Sequence, residues 1–167
     1  MHVTAKGDYA VRAVVGLAEA YPARVPVAVL AERFEMPRKF LETALADLRR
    51  AGIVQSMRGP EGGYVLHRPP SEITVGEVVR AIDGPLADVH GLRPHEVVYP
   101  DGLQHMQEVW VAARAAVRMV FDEVTVDQLV TGAFPDQIRD LFLHDQAWEP
   151  RSGPQTPTLP SGTPPAS

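Results

Sequence analysis

No cysteine occurs among the 167 residues. That excludes a disulfide framework, a thiol nucleophile and any thiolate-held metal or iron–sulfur cluster. No apolar run approaches the roughly 18 residues needed to span a bilayer. A basic-then-apolar leader pattern is missing as well, because Lys6 and Asp8 interrupt the amino terminus. A cytoplasmic protein without a membrane partner is the expectation. The chain also lacks a Ser/His/Asp order, an HExxH helix and a convergent carboxylate pair, so enzyme chemistry is not expected. Net positive charge is absent too: the formal charge is −5, which by itself disfavours a polyanionic partner.

That average hides an asymmetry. Residues 1–68 hold ten Lys/Arg against seven Asp/Glu, while the remainder holds six against fourteen. A basic front joined to an acidic back suggests that only the front meets a polyanion.

The front reads as helices followed by a hairpin. Thr4 is an N-cap for a helix to about Glu19, with Tyr9, Ala10, Ala13, Val14 and Leu17 forming its apolar stripe. A two-turn helix over 27–34 follows. Glu35-Met36 makes a tight break, and Pro37 suits the first position of a helix that runs to about Arg50 and stops at Gly52. Two helices so closely joined form a helix-turn-helix candidate. Residues 53–57 and 64–67 then read as short strands around Arg58-Gly59-Pro60-Glu61-Gly62-Gly63. Helix, turn, helix and two-stranded wing is the order of a winged helix. A phosphate-cradling Walker loop is ruled out, since no Lys-Ser/Thr pair and no helix follow the glycines.

Beyond Pro69-Pro70, Thr74 and Glu77 match a capping box opening a helix to about Ile82. Residues 85–102 read as an irregular loop, separating a winged-helix domain over 1–84 from a helical segment over 103–145. In that segment a long helix spans about 103–123. Met106, Trp110, Ala113, Val117 and Phe121 line one stripe of it, broadened by Val109, Ala112, Ala116 and Val120. So wide an apolar face predicts a symmetric helix–helix contact between two copies. Thr125 and Gln128 repeat the capping-box pattern, and Ile138, Leu141 and Phe142 suggest one more short amphipathic helix. Residues 146–167 are expected to be a disordered tail, since 14 of the 18 residues from Pro150 onward are Pro, Ser, Thr or Gly. The fold class expected is mainly α: a winged helix-turn-helix with a small β wing and a long C-terminal dimerisation helix.

On the second helix of the motif, Leu41, Leu45 and Leu48 project to one side as core. Lys39, Thr43, Ala46 and Arg50 project the other way. An α-helix fits the major groove of DNA, and its early residues usually reach base edges, which makes Lys39 and Thr43 the candidate base readers. Arg38, Arg49 and Arg50 suit phosphate contacts. Arg58 at the wing tip suits a narrow minor groove. Gly59, Gly62 and Gly63 are expected to allow positive φ and a close backbone approach.

These residues resemble a known family. Lys-Gly-Asp-Tyr-Ala-Val-Arg-Ala at 6–13, Leu-Ala-Glu-Arg-Phe at 30–34 and Pro-Arg-Lys-Phe-Leu-Glu at 37–42 carry the likeness. So do Leu-Arg-Arg-Ala-Gly-Ile-Val at 48–54, Arg-Gly-Pro-Glu-Gly-Gly-Tyr at 58–64 and the stretch Ile73 to Gly84. Trp110 and Thr-Val-Asp-Gln-Leu at 125–129 match later landmarks. The sequence resembles the BadM/Rrf-two family of bacterial winged-helix transcription regulators over about residues 1–132. The resemblance implies a homodimer, joined through the long helix, that places two recognition helices and two wings on a roughly palindromic operator in double-stranded DNA. Repression is the implied outcome.

The sequence departs from that family where many members carry three cluster-binding cysteines. The segment from Asp88 to Gln107 holds none, so no cysteine-ligated iron–sulfur cluster and no other cofactor is expected. His90, His95, Glu96, Asp101 and His105 lie there as weak candidates for a divalent metal, without an organising spacing. A metal, a small organic effector or a partner protein acting through the loop over 88–107 remains open at this point. So does the alternative that the winged helix is a protein-interaction module.

Overall fold

The computed structural model describes residues 3–57, 59 and 62–149. The expected tail lies outside the described residues from Pro150 onward, as do Arg58, Pro60 and Glu61.

Helix α1 spans Ala5–Glu19. The Thr4 side chain caps it by accepting from the Gly7 N–H at 3.0 Å, and Thr4 is itself gripped by Asp83, whose Oδ2 accepts from the Thr4 N–H at 3.1 Å. Helix α2 covers Val27–Arg33 and α3 covers Arg38–Arg50. Pro37 is the N-cap of α3 rather than its first helical residue. Its backbone is extended, and its carbonyl accepts from the N–H groups of Phe40 and Leu41. The turn between α2 and α3 places Glu35 at φ 51°, in the left-handed region. At the far end of α3, Gly52 adopts φ 73°. The Ile53 N–H reaches the Leu48 carbonyl and the Gly52 N–H reaches the Arg49 carbonyl, a Schellman closure. This commits Ile53 to the helix end, so strand β1 begins one residue later than its apolar run suggests.

Strands β1 (Val54–Met57) and β2 (Gly63–Leu66) pair antiparallel, with Val54 opposite Leu66 and Met57 opposite Gly63. Tyr64 also exchanges both backbone hydrogen bonds with Val25, which ties the wing to the segment before α2. Helix α4 is Val75–Asp83, α5 is Gln104–Glu123, α6 is Val126–Thr131 and α7 is Asp136–Leu143. The expected loop contains a short 3₁₀ turn, Pro94–Glu96.

One core unites most of these elements. Ala10, Ala13, Val14 and Leu17 of α1 meet Leu30 of α2 and Leu41, Ala44, Leu45 and Leu48 of α3. Ile53, Val54 and Leu66 close it on the wing side, and Ile73, Val78 and Val126 on the other. Val126 arrives from beyond α5 because Thr74 and Thr125 form an antiparallel bridge. The Val75 N–H donates to Val124 O, and the Val126 N–H donates to Ile73 O. Each of those threonines is also the N-cap of a complete capping box, with Glu77 and Gln128 as its partners. Burial opposes ionisation of Glu77. The Thr74 N–H and the Arg68 guanidinium outweigh that penalty and hold its carboxyl below the ordinary range.

Helix α5 differs from the others. None of its residues is buried; Val109 is 60% and Trp110 38% exposed, and Met106, Ala113 and Met119 are exposed beside them. Among the described residues no helix is long and apolar enough to cross a membrane.

Candidate nucleic-acid interface

Helix α3 is two-faced because its leucines recur at helical spacing. Leu41, Ala44, Leu45 and Leu48 are fully buried, which forces Arg38, Lys39, Glu42, Thr43, Arg49 and Arg50 outward. Ala46 is half-buried at the margin. The structure therefore brings Lys39, Thr43, Arg38, Arg49 and Arg50 onto the exposed side of one helix, as the wheel predicts.

Their cationic heads are not equally available. Arg38 Nε donates to Glu42 Oε1 at 2.8 Å, an exposed pair one turn apart. Arg50 pairs with Asp47, whose other oxygen takes Lys6 from α1. Chiefly the hydrogen bond from Lys6, with the charges of Lys6 and Arg50 behind it, holds the Asp47 carboxyl below the ordinary range against the opposing effect of burial. Lys39 makes no ion pair among the described residues, and Arg49 meets only the hydroxyl of Ser56 on β1, at 3.3 Å. Lys39 and Arg49 thus present charge that no carboxylate among the described residues neutralises. Thr43 Oγ1 spends its proton on the Lys39 carbonyl at 2.9 Å, so outward it offers a methyl group and acceptor lone pairs.

Two further features adjoin this face. Phe40 is 58% exposed at the start of α3, its ring centroid 6.5 Å from that of Tyr9 on α1. The Arg12 guanidinium lies 5.9 Å from the Tyr9 centroid. Sequence patterning did not single out Phe40. At about 100° per residue it stands well off the leucine stripe, and an exposed position on the wheel was the available signal. Arg49–Ser56 is the second, joining helix and wing; it depends on strand register, which no local pattern reveals.

The wing glycines play different parts. Only Gly59 has positive φ, at 118°. Gly62 and Gly63 do not, and the expectation of left-handed backbone there is corrected. A Cβ on Gly63 would stand 2.5 Å from the Val25 carbonyl oxygen, so glycine at 63 is what lets β2 lie against the chain before α2. Gly62 is crowded by the carbonyls of Met57 and Gly59 and donates its N–H to the latter. Arg58 lies outside the described residues.

A winged helix whose second helix exposes a basic and aromatic face agrees with the comparisons. A family model described as Rrf2, iron-dependent transcriptional regulator, matches residues 3–132. The chain belongs to the Rrf2 family of transcriptional regulators. A candidate HTH-type transcriptional regulator of Mycobacterium tuberculosis is 40% identical over 142 residues, covering 84% of this chain and 88% of that protein. The HTH-type transcriptional regulator CymR of Bacillus subtilis is 31% identical over 143 residues, covering 85% and 99%. The solved structure of CymR, titled the global cysteine regulator of B. subtilis, superposes with a TM-score of 0.69 at 30% identity, covering 80% of this chain and 98% of that one. T. potens IscR gives 0.64 at 30% identity, over 82% and 91%. As an Rrf2 regulator the protein is not an enzyme, and its winged helix-turn-helix is that of solved Rrf2 regulators.

The family's description raises an iron group, for which the described residues offer no ligand set. Sulfur ligands are absent from the sequence apart from methionine. Among the described residues no three His, Asp or Glu side chains gather closely enough to hold a metal. His105 pairs with Glu108, His95 Nδ1 faces Arg114, and Glu96 accepts from the Arg93 N–H. His90, His95, Glu96, Asp101 and His105 are thus not brought together as a ligand set.

Proposed function

We propose that this Rrf2 regulator is a sequence-specific DNA-binding repressor that acts as a homodimer on a palindromic operator, without a thiolate-ligated cluster. The observation that carries the reading is the exposed face of α3, where Lys39, Thr43 and Arg49 are left for an outside partner beside a wing braced on Val25. The expected engagement places α3 in the major groove, with Lys39, Thr43 and Phe40 toward base edges and Arg49 toward phosphate. Arg38 would exchange its exposed partner Glu42 for phosphate, and Arg50, itself exposed, would turn to phosphate from Asp47. The wing, through Gly59 and the neighbouring Arg58, would follow the adjacent minor groove. The homodimer rests on α5, an apolar helix with no buried residue, which an isologous contact with a second copy would cover. Such a regulator works in the cytoplasm.

Selection from a random double-stranded library is the direct test. An inverted repeat with half-sites about one helical turn apart is expected. Enrichment of no sequence, with a stable protein partner recovered instead, would replace this reading by that of an interaction module.

A further inference from the structure

The loop after α4 folds over α5 and leaves a cavity of about 610 Å³, within the size range of small-molecule sites. Its lining is one-sided in charge. Arg80 comes from α4, Arg93 and His95 from the N-cap and body of the 3₁₀ turn, and Arg114 and Arg118 from α5. Among the described residues no carboxylate lines it. Outside the lining, Glu96 Oε2 accepts from the Arg93 backbone N–H at 3.0 Å, and Asp122 accepts from Arg80 Nη1 at 2.6 Å and from Arg118 Nε at 3.2 Å. Asp122 therefore aligns and partly neutralises two guanidiniums. Arg114 is turned toward His95, with Nη2 3.2 Å from Nδ1. Arginine stays protonated in proteins, so it is the donor and the imidazole nitrogen accepts. Arg93 makes no ion pair among the described residues. Four guanidiniums around one cavity, with Asp122 and Glu96 outside its lining, leave a positive excess in a chain with 21 Asp and Glu to 16 Lys and Arg. Like charges gathered around one cavity repel unless an anion joins them.

We propose that this cavity is an effector site for a small organic molecule carrying at least two oxyanion charges, a di- or tricarboxylate or a phosphate ester. Planar guanidiniums bind both headgroups bidentately. Pro85, Leu86 and Ala87 supply an apolar wall for the carbon skeleton. The charge excess selects a multiply charged ligand over a monoanion, because Asp122 and Glu96 together offset only two of the four positive charges. None of these residues belongs to α3 or to the wing, so the site is separate from the proposed DNA face. An anion held there ties α4, the loop and α5 to one another. The recognition helix packs on α4, and the proposed dimer contact is on α5; both neighbours of the cavity therefore belong to the regulatory machinery.

The test is thermal unfolding of the free protein with citrate, with inorganic phosphate and with sodium chloride at matched ionic strength. Binding to the folded state is expected to raise Tm by about 5 °C at a hundredfold excess over Kd. A rise with citrate identifies polycarboxylate, and a rise with phosphate identifies the phosphoryl group; either supports the site. Arg114→Ala and, separately, Arg93→Gln should abolish the rise while leaving the circular dichroism spectrum unchanged. Arg93→Gln stands in the exposed loop and keeps the test decisive should Arg114→Ala fail to fold. Equal stabilisation by sodium chloride, no stabilisation by citrate or phosphate, or a full response in the folded Arg93→Gln protein would overturn the proposal. Because the readout uses no DNA, its failure would leave the operator reading intact, and failure of operator binding would leave this site intact.

Discussion

Gly63 shows how a residue read as a contact with a partner can be required by the fold. Alanine there would set its Cβ 2.5 Å from a backbone oxygen of Val25, and backbone on both sides of the bridge has little room to yield. Gly63→Ala is therefore expected to cost about 1–3 kcal/mol of stability, the range for forcing extra volume into a packed site. A lowered urea midpoint with unchanged m-value would register it; an unchanged midpoint would show that the Val25–Tyr64 bridge does not hold in solution. Gly52 illustrates the opposite case, since its left-handed φ follows from the helix-stop pattern that the sequence already displays. Phe40 belongs with Gly63: its exposure beside Tyr9 follows from how α1 crosses α3.

At the scale of elements, α3 is held by its leucines and by a charge clamp, and the two respond to different conditions. Asp47 joins Lys6 of α1 to Arg50 of α3, with its side chain only 11% exposed. Its carboxyl pKa in the folded protein lies below the unfolded value near 3.8. A depressed carboxyl pKa stabilises the fold fully at neutral pH, and the contribution is lost as pH falls through the lowered folded value. Asp47→Asn should cost about 1–2 kcal/mol at neutral pH. It should also flatten the loss of stability that the parent shows between about pH 5 and about pH 2. Parallel acid limbs in urea titrations of the two proteins would remove the clamp from the account.

The same helix makes a prediction about binding. Arg49 meets no carboxylate among the described residues, whereas Arg38 is paired with Glu42. Arg49→Gln should lower the slope of log K against log salt by about 1, as loss of one phosphate contact does. Arg38→Gln should lower it by less, because it also frees a carboxylate that repels the backbone. Equal slopes for the two variants, measured by fluorescence anisotropy on the selected operator, would show that exposed pairing does not rank these cations. Loss of Lys39, placed toward a base edge, should instead relax sequence preference at one position of the half-site.

For the molecule as a whole, α5 decides the assembly. It carries a broad apolar face yet none of its residues is buried, and Trp110, its indole N–H donating to the Tyr99 hydroxyl at 2.9 Å, is still 38% exposed. Ala113 lies exposed in the middle of that face. Ala113→Glu would place a charge, and its symmetry mate, at the centre of an isologous contact, where desolvation is costly. Light scattering should report a monomer for this variant and a dimer for the parent. A dimer in both would move the contact elsewhere on the molecule.

The local elements were legible from the sequence because each is specified by neighbours in the chain. The Thr74–Glu77 and Thr125–Gln128 capping boxes, the leucine period of α3 and the turn glycine at 52 use interactions that span only a few residues. The outward set on α3 was legible for the same reason, since a buried stripe at helical spacing leaves the other side exposed. What only the tertiary structure decided depends on residues far apart in the chain. The approach of Gly63 to Val25, the clamp from Lys6 to Asp47 and the return of Val126 to the α1–α3 core are of this kind. The gathering of Arg80, Arg93, Arg114 and Arg118 around one cavity is another, and periodicity does not encode it, because it arises from where the loop over 85–102 lays its turn against α5.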